Sequence, residues 1–235
     1  MPNTLLEAIN LNAGYQQQAV VRNLNLHVNT GEMVCLLGPN GAGKTTTLQT
    51  LAGDLSAIRG SVNLFGQPCT LALHQRVRQG LAYITDERTL VMGLSVADNL
   101  RLRGGSIRAA TEYFPEITPL LNRQAALLSG GQQQIVAVAR CLAAKPELLI
   151  ADELSMGLAP KIVDRLLLSL RQAVDNGLGV LLVEQHIDKA LAHSDRAYVM
   201  SHGDIVMSGN SHALQQQRSA IEQAYISHSS PQGTP

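Results

Sequence analysis

Apolar and polar positions follow two rhythms along this chain. Leu5 to Leu11 and Leu24 to Val28 alternate partly with a two-residue period, which predicts half-buried antiparallel strands. Met33 to Leu37, Leu148 to Ala151 and Val180 to Val183 are unbroken apolar runs, as in strands buried on both faces. Ser61 to Phe65 and Leu81 to Thr85 read as further strands. Ala197 to Met200 and Ile205 to Met207, separated by His202-Gly203-Asp204, read as a hairpin. Helical spacing runs on through Ala52 after Thr45 and recurs in Val96 to Leu102, Ile107 to Phe114 and Lys161 to Val174. Ser129, a good N-cap, opens another helix that extends to about Ala144, where Lys145-Pro146 stops it.

Strands alternating with helices predict an α/β fold with a largely parallel sheet covered by helices. The early antiparallel pieces predict a small N-terminal β-subdomain. The stretch with Pro115, Pro119 and Gly104-Gly105 predicts a small helical insertion. The expected organisation is one domain over 1–235: a core from 1–87 and 145–226, an insertion over 88–144, and a disordered Ser-, Gly- and Pro-rich tail at 227–235.

Composition narrows the classes. Of the 235 residues, 45% are hydrophobic, enough for a sizeable core. Lys plus Arg (18) balance Asp plus Glu (18), and no basic stripe is visible, which argues against a nucleic-acid partner. No run approaches the roughly 18 to 20 apolar residues of a membrane-spanning helix. Met1 to Thr4 show no basic start to a secretory signal. Cys35, Cys69 and Cys141 are far apart and lack C-x-x-C spacing, so they read as free thiols, with Cys35 and Cys141 buried.

Chemistry enters at Gly38-Pro39-Asn40-Gly41-Ala42-Gly43-Lys44-Thr45, which fits G-x-x-x-x-G-K-[ST] between a buried strand and a helix. Glycines let successive N–H groups approach phosphate oxygens, and the helix N-terminus adds its positive end. Lys44 supplies a mobile charge for the outer phosphates, and Thr45 offers a hydroxyl to Mg²⁺; Thr46 follows on the same first turn. Alone, this loop leaves kinases, GTPases and motors open.

Leu148 to Ala151 then end in Asp152-Glu153. Asp152 fits the acid that a strand beside the phosphate loop delivers to Mg²⁺, and Glu153, pointing differently, fits a general base for the attacking water. Ser129-Gly130-Gly131-Gln132 is a second anion-binding helix N-terminus. One nucleotide has no evident use for both within one subunit, so the second is expected to serve a nucleotide on a neighbour.

Leu128-Ser129-Gly130-Gly131-Gln132, placed between the phosphate loop and the acidic pair, resembles the signature of the ATP-binding cassette (ABC) ATPases. The resemblance spans about Leu5 to Ala224. It implies a P-loop NTPase core that binds ATP with Mg²⁺ and hydrolyses it. It makes His186 the switch histidine at the γ-phosphate, Ser155-Met156-Gly157-Leu158 the loop crossing a dimer interface, and Tyr15 the ring on adenine. Asp86 stands where the family usually carries a Mg²⁺-contacting Gln, placed by counting back from Ser95-Val96-Ala97-Asp98-Asn99-Leu100, and Leu154 where it usually carries Pro.

Gly157-Leu158-Ala159-Pro160, Phe114-Pro115 and Val183-Glu184-Gln185-His186 resemble the ATPases of branched-chain amino-acid importers and their urea and amide relatives. The implied partners are transmembrane permease subunits docked near Asp86, a second ABC ATPase subunit (a copy or a paralogue) and, indirectly, a solute-binding protein. The implied location is the cytoplasmic face of the inner membrane. A soluble ABC ATPase and a low-turnover nucleotide-binding module stay open as alternatives.

Overall fold

A computed structural model describes residues 3–85 and 90–226. The chain opens as a long hairpin, β1 (Thr4–Tyr15) and β2 (Gln18–Asn29). Both strands run past the expected Leu5–Leu11 and Leu24–Val28. Register shifts near Leu11 and Ala13 let pairing continue to the tip. There Gln16 and Gln17 both take positive φ, 50° and 66°. That turn matches the strand twist, but it lacks the Asn-Gly or Asp-Gly pair that announces it in a sequence.

The next strand, β3 (Met33–Leu37), leaves for a second sheet, while β4 (Arg59–Leu64) and β5 (Gln67–Pro68) return to the first, in the order β2-β1-β4-β5. The second sheet adds β6 (Leu81–Ile84), β7 (Leu148–Asp152), β8 (Gly179–Glu184), β9 (Arg196–Ser201) and β10 (Asp204–Asn210), in the order β10-β9-β3-β8-β7-β6. Its pairings are parallel except for the β9–β10 hairpin at one edge.

The unbroken apolar strands follow from burial on both faces. Leu148 and Ile150 of β7, with Leu181 and Val183 of β8, pack toward the first sheet. Leu149, Ala151, Val180 and Leu182 pack toward the helices on the other side. Successive residues point to opposite faces, so two cores need apolar residues at every position. Truncating one such side chain, as in Leu149→Ala, is expected to cost about 2–5 kcal/mol.

Helices α1 (Lys44–Ala52) and α2 (Leu73–Arg78) follow β3 and β5. The insertion carries α3 (Val96–Arg101), α4 (Ile107–Tyr113) and α5 (Gly130–Ala143), joined by short 3₁₀ turns. Its Phe114 and Val136 share one core with Leu149 and Leu182 of the sheet. Then come α6 (Pro160–Asp175), α7 (Ile187–His193), α8 (Ser211–Gln215) and α9 (Arg218–Ile226). The polar spacing of α2 gives no helical signal. Its Arg76 is buried and donates to the Leu51 carbonyl at the C-terminus of α1 (2.7 Å) and to the Leu71 carbonyl (2.7 Å). A carbonyl end of one helix thereby takes a cation from the next. All three cysteines are free and buried, Cys69 included. The expected tail, 227–235, lies outside the described residues.

Candidate functional site

The loop after β3 is shaped by what surrounds it. A Cβ on Gly38 would sit 2.5 Å from the Met200 carbonyl oxygen of β9, so only glycine lets the loop approach that strand. Gly43 caps α1 at φ 104°, with no side chain bonded to the first-turn N–H groups. Those donors stay available to an anion. Lys44 opens the helix and is 5% exposed. Its ammonium donates to the Gly38 carbonyl (2.8 Å) and the Pro39 carbonyl (3.1 Å), and lies 3.7 Å from Glu153 Oε1. Burial lowers its pKa, while Glu153 and Asp152 oppose that shift. The result is a partly desolvated cation held over its own loop, with Thr45 exposed beside it and Thr46 buried. Tyr15 ends β1 with its ring exposed, and its hydroxyl donates to Gln49 Oε1 of α1 at 2.9 Å.

The acidic pair closes the other side, by a route different from the one expected. β7 is not beside the loop strand, because β8 lies between β3 and β7. Sheet twist and the loops beyond the strand ends still bring the groups together, as the Lys44–Glu153 pair shows. Asp152 is buried at the end of β7. Glu153 leaves the strand at φ 44°, a left-handed conformation that costs a non-glycine residue roughly 1–2 kcal/mol. Its direction therefore differs from that of Asp152.

Asn40, Glu153, Ser155, Glu184, Gln185 and His186 line a cavity of about 210 Å³. It unites the loop, the acid and the histidine that the sequence singles out separately. Two members carried no role in the sequence. Gln185 Nε2 donates to Glu153 Oε1 at 2.7 Å. Glu184, 2% exposed, takes the Ser155 hydroxyl on Oε2 at 2.5 Å. Burial raises the pKa of Glu184, and hydrogen bonds from Ser155 counter the shift. An acid ending an otherwise apolar strand is the signal that marks Glu184 in the sequence.

The signature residues sit apart from all this. Ser129 caps α5: its Oγ accepts from the Gln132 N–H (3.3 Å), and Gln132 Oε1 accepts from the Ser129 N–H (3.0 Å). This reciprocal capping box fixes the turn. Gly131 packs under Ile162 of α6, whose side chain would lie 3.2 Å from a Cβ there. Among the described residues, no hydrogen bond or ion pair joins Ser129–Gln132 to the 38–46 loop. Asp86 lies outside the described residues.

Comparison with known proteins agrees with this layout. Residues 21–155 match the ABC transporter family model. The high-affinity branched-chain amino acid transport ATP-binding protein BraG of Pseudomonas aeruginosa is 35% identical over 210 residues, covering 85% of this chain and 90% of that protein. The lipopolysaccharide export system ATP-binding protein LptB of Escherichia coli (strain K12) is 35% identical over 217 residues, covering 87% of this chain and 90% of that protein. A solved dimeric, post-hydrolysis ATP-binding cassette, MJ0796 bound to ADP and Pi, shares the fold at a TM-score of 0.78 and 24% identity, covering 88% of this chain and 98% of that one.

Proposed function

This chain belongs to the ABC transporter family as an ATP-hydrolysing subunit, and on that premise we propose that two such domains sandwich ATP head to tail, each nucleotide between one phosphate loop and the partner's signature. The separation of the two helix N-termini carries this reading. One already surrounds Lys44; the other is closed by its own capping box and, among the described residues, shows no ion pair. Leu127 beside the signature and Met156 in the 155–158 loop are exposed large apolar side chains, which suits surfaces that a second subunit covers.

Within each site, Lys44 and the first N–H groups of α1 hold the phosphates, and Tyr15 stacks on the base. Glu153 takes a proton from the attacking water, and His186 contacts the γ-phosphate from the cavity's far side. Thr45 and Asp152 are oxygen donors that suit Mg²⁺, with Asp86 as a further candidate; the ion neutralises phosphate charge when bound. Residues 88–144 move as a helical subdomain on closure, and permease subunits contacting that region near Asp86 convert the motion to transport. The chain then sits on the cytoplasmic face of the inner membrane through those partners. Among the described residues, no helix is long and apolar enough to span a membrane.

The proposed cargo is a branched-chain amino acid or a related small polar solute such as urea or an amide, delivered by a solute-binding protein. Support comes from Gly157 to Pro160 and from BraG. The equal identity to LptB favours a second reading, lipopolysaccharide export. Purifying the complex and measuring ATPase stimulation by a loaded solute-binding protein, against stimulation by lipopolysaccharide, separates the two. Glu153→Gln tests the mechanism: it should bind ATP, hydrolyse it at least about a hundredfold more slowly and accumulate as a closed dimer. Normal turnover in that variant would remove Glu153 as the base.

A further inference from the structure

Glu153 is held in a strained conformation, and strain of this kind persists only where the surroundings over-determine it. Residue 154 is Leu, so no proline ring locks φ within the turn. The turn's support comes instead from the end of β8. The Val183 carbonyl accepts the Glu153 N–H at 3.1 Å. Glu184, with the parity of the buried Val180 and Leu182, meets the Ser155 hydroxyl at 2.5 Å. Gln185, one residue past the end of the strand, donates to the Glu153 carboxylate at 2.7 Å. Three successive residues thus grip the turn at its backbone, its far side and its functional tip. The Met156 N–H closes the turn on the Glu153 carbonyl at 3.2 Å.

We propose that Glu184 and Gln185 are positioning residues for hydrolysis: together they clamp the Glu153–Ser155 turn and aim the Glu153 carboxylate into the cavity between Asn40 and His186. Gln185 is suited to the direct contact because its amide donates a hydrogen bond without adding a charge that would pair with the carboxylate. Glu184 acts at one remove. It anchors Ser155 and so holds the start of the loop that the dimer reading places at the subunit interface. The proposal rests on the assignment of Glu153 as the base.

The experiment is steady-state ATP hydrolysis by the full-length chain in its assembled complex, with melting temperature as the control. Gln185→Ala, at a half-buried position, is expected to lower kcat about tenfold while KM for ATP changes by less than about twofold, as suits loss of one charge-assisted bond. Glu184→Ala and Ser155→Ala should lower kcat similarly, and Glu184→Gln should restore most of what Glu184→Ala loses. In a Glu153→Gln background, Gln185→Ala should change the residual rate by less than about twofold, since its carboxylate partner is gone. Wild-type kcat in Gln185→Ala, an equal loss in both backgrounds, or a loss that appears only in KM or in step with melting temperature would overturn the clamp. Normal turnover in Glu153→Gln alone overturns the base assignment, whatever Gln185→Ala does, so the two failures are distinguishable.

Discussion

At Gly38–Thr45 the chain closes around its own lysine. At Ser129–Gln132 it builds a second helix N-terminus, closed by a capping box. Both turns rely on glycine and on the positive end of a helix, yet they are finished differently. Lys44 is buried and bonded to the Gly38 and Pro39 carbonyls. The signature is closed by its own capping box, Ser129 to Gln132, and Ser129 is exposed. On the sandwich proposed above, the two turns act on different nucleotides and so should respond differently to substitution.

The largest effect should follow removal of the cation from the first turn. Lys44→Ala is expected to lower kcat/KM for ATP more than about a hundredfold, since a preorganised charge at the transferring phosphoryl group is lost. The next is Ser129→Arg, which places bulk where a partner's nucleotide should sit. Titration with a fluorescent nucleotide at low protein concentration should show affinity for ATP within about twofold of wild type. Hydrolysis at high protein concentration should fall at least about tenfold. Equal damage to both measurements would mean that the two turns serve the same nucleotide, and the comparison would break.

Tyr15→Ala should weaken ATP binding about tenfold or less, because an aromatic stack contributes about 0.5–1.5 kcal/mol. The smallest effect sharpens the comparison. Ser129→Ala removes only the cap and should cost about 1 kcal/mol of stability, read as a lowered melting temperature. Its hydrolysis should stay well above that of Ser129→Arg, separating the turn's integrity from its open face.

Much of this was legible in the residues. β3, α1, α5 and β7 lie within a residue or two of their expected bounds, because each is bracketed by strong punctuation: Gly38 and Gly43, Ser129, and Lys145-Pro146. Helices α7 to α9 span 7, 5 and 9 residues, too short for their apolar spacing to set a period, and α2 is held by the buried guanidinium of Arg76. The phosphate loop, the acidic pair and His186 were each visible as motifs. The contacts of Gln185 and Glu184 with Glu153 and Ser155 were not, since the partners lie 32 and 29 residues apart.

The sequence by itself determined the chemistry available: which glycines open the backbone of the 38–45 loop, which lysine carries charge and which residues cap the signature helix. These depend on neighbours a few positions away, where spacing and backbone geometry are enough. Only the tertiary structure decided that β8 lies between the loop strand and the acid strand, and that its last residues hold the turn on which Glu153 stands. Sheet order and cross-strand contacts join segments distant in the chain, and their energy comes from shared burial that no local pattern records.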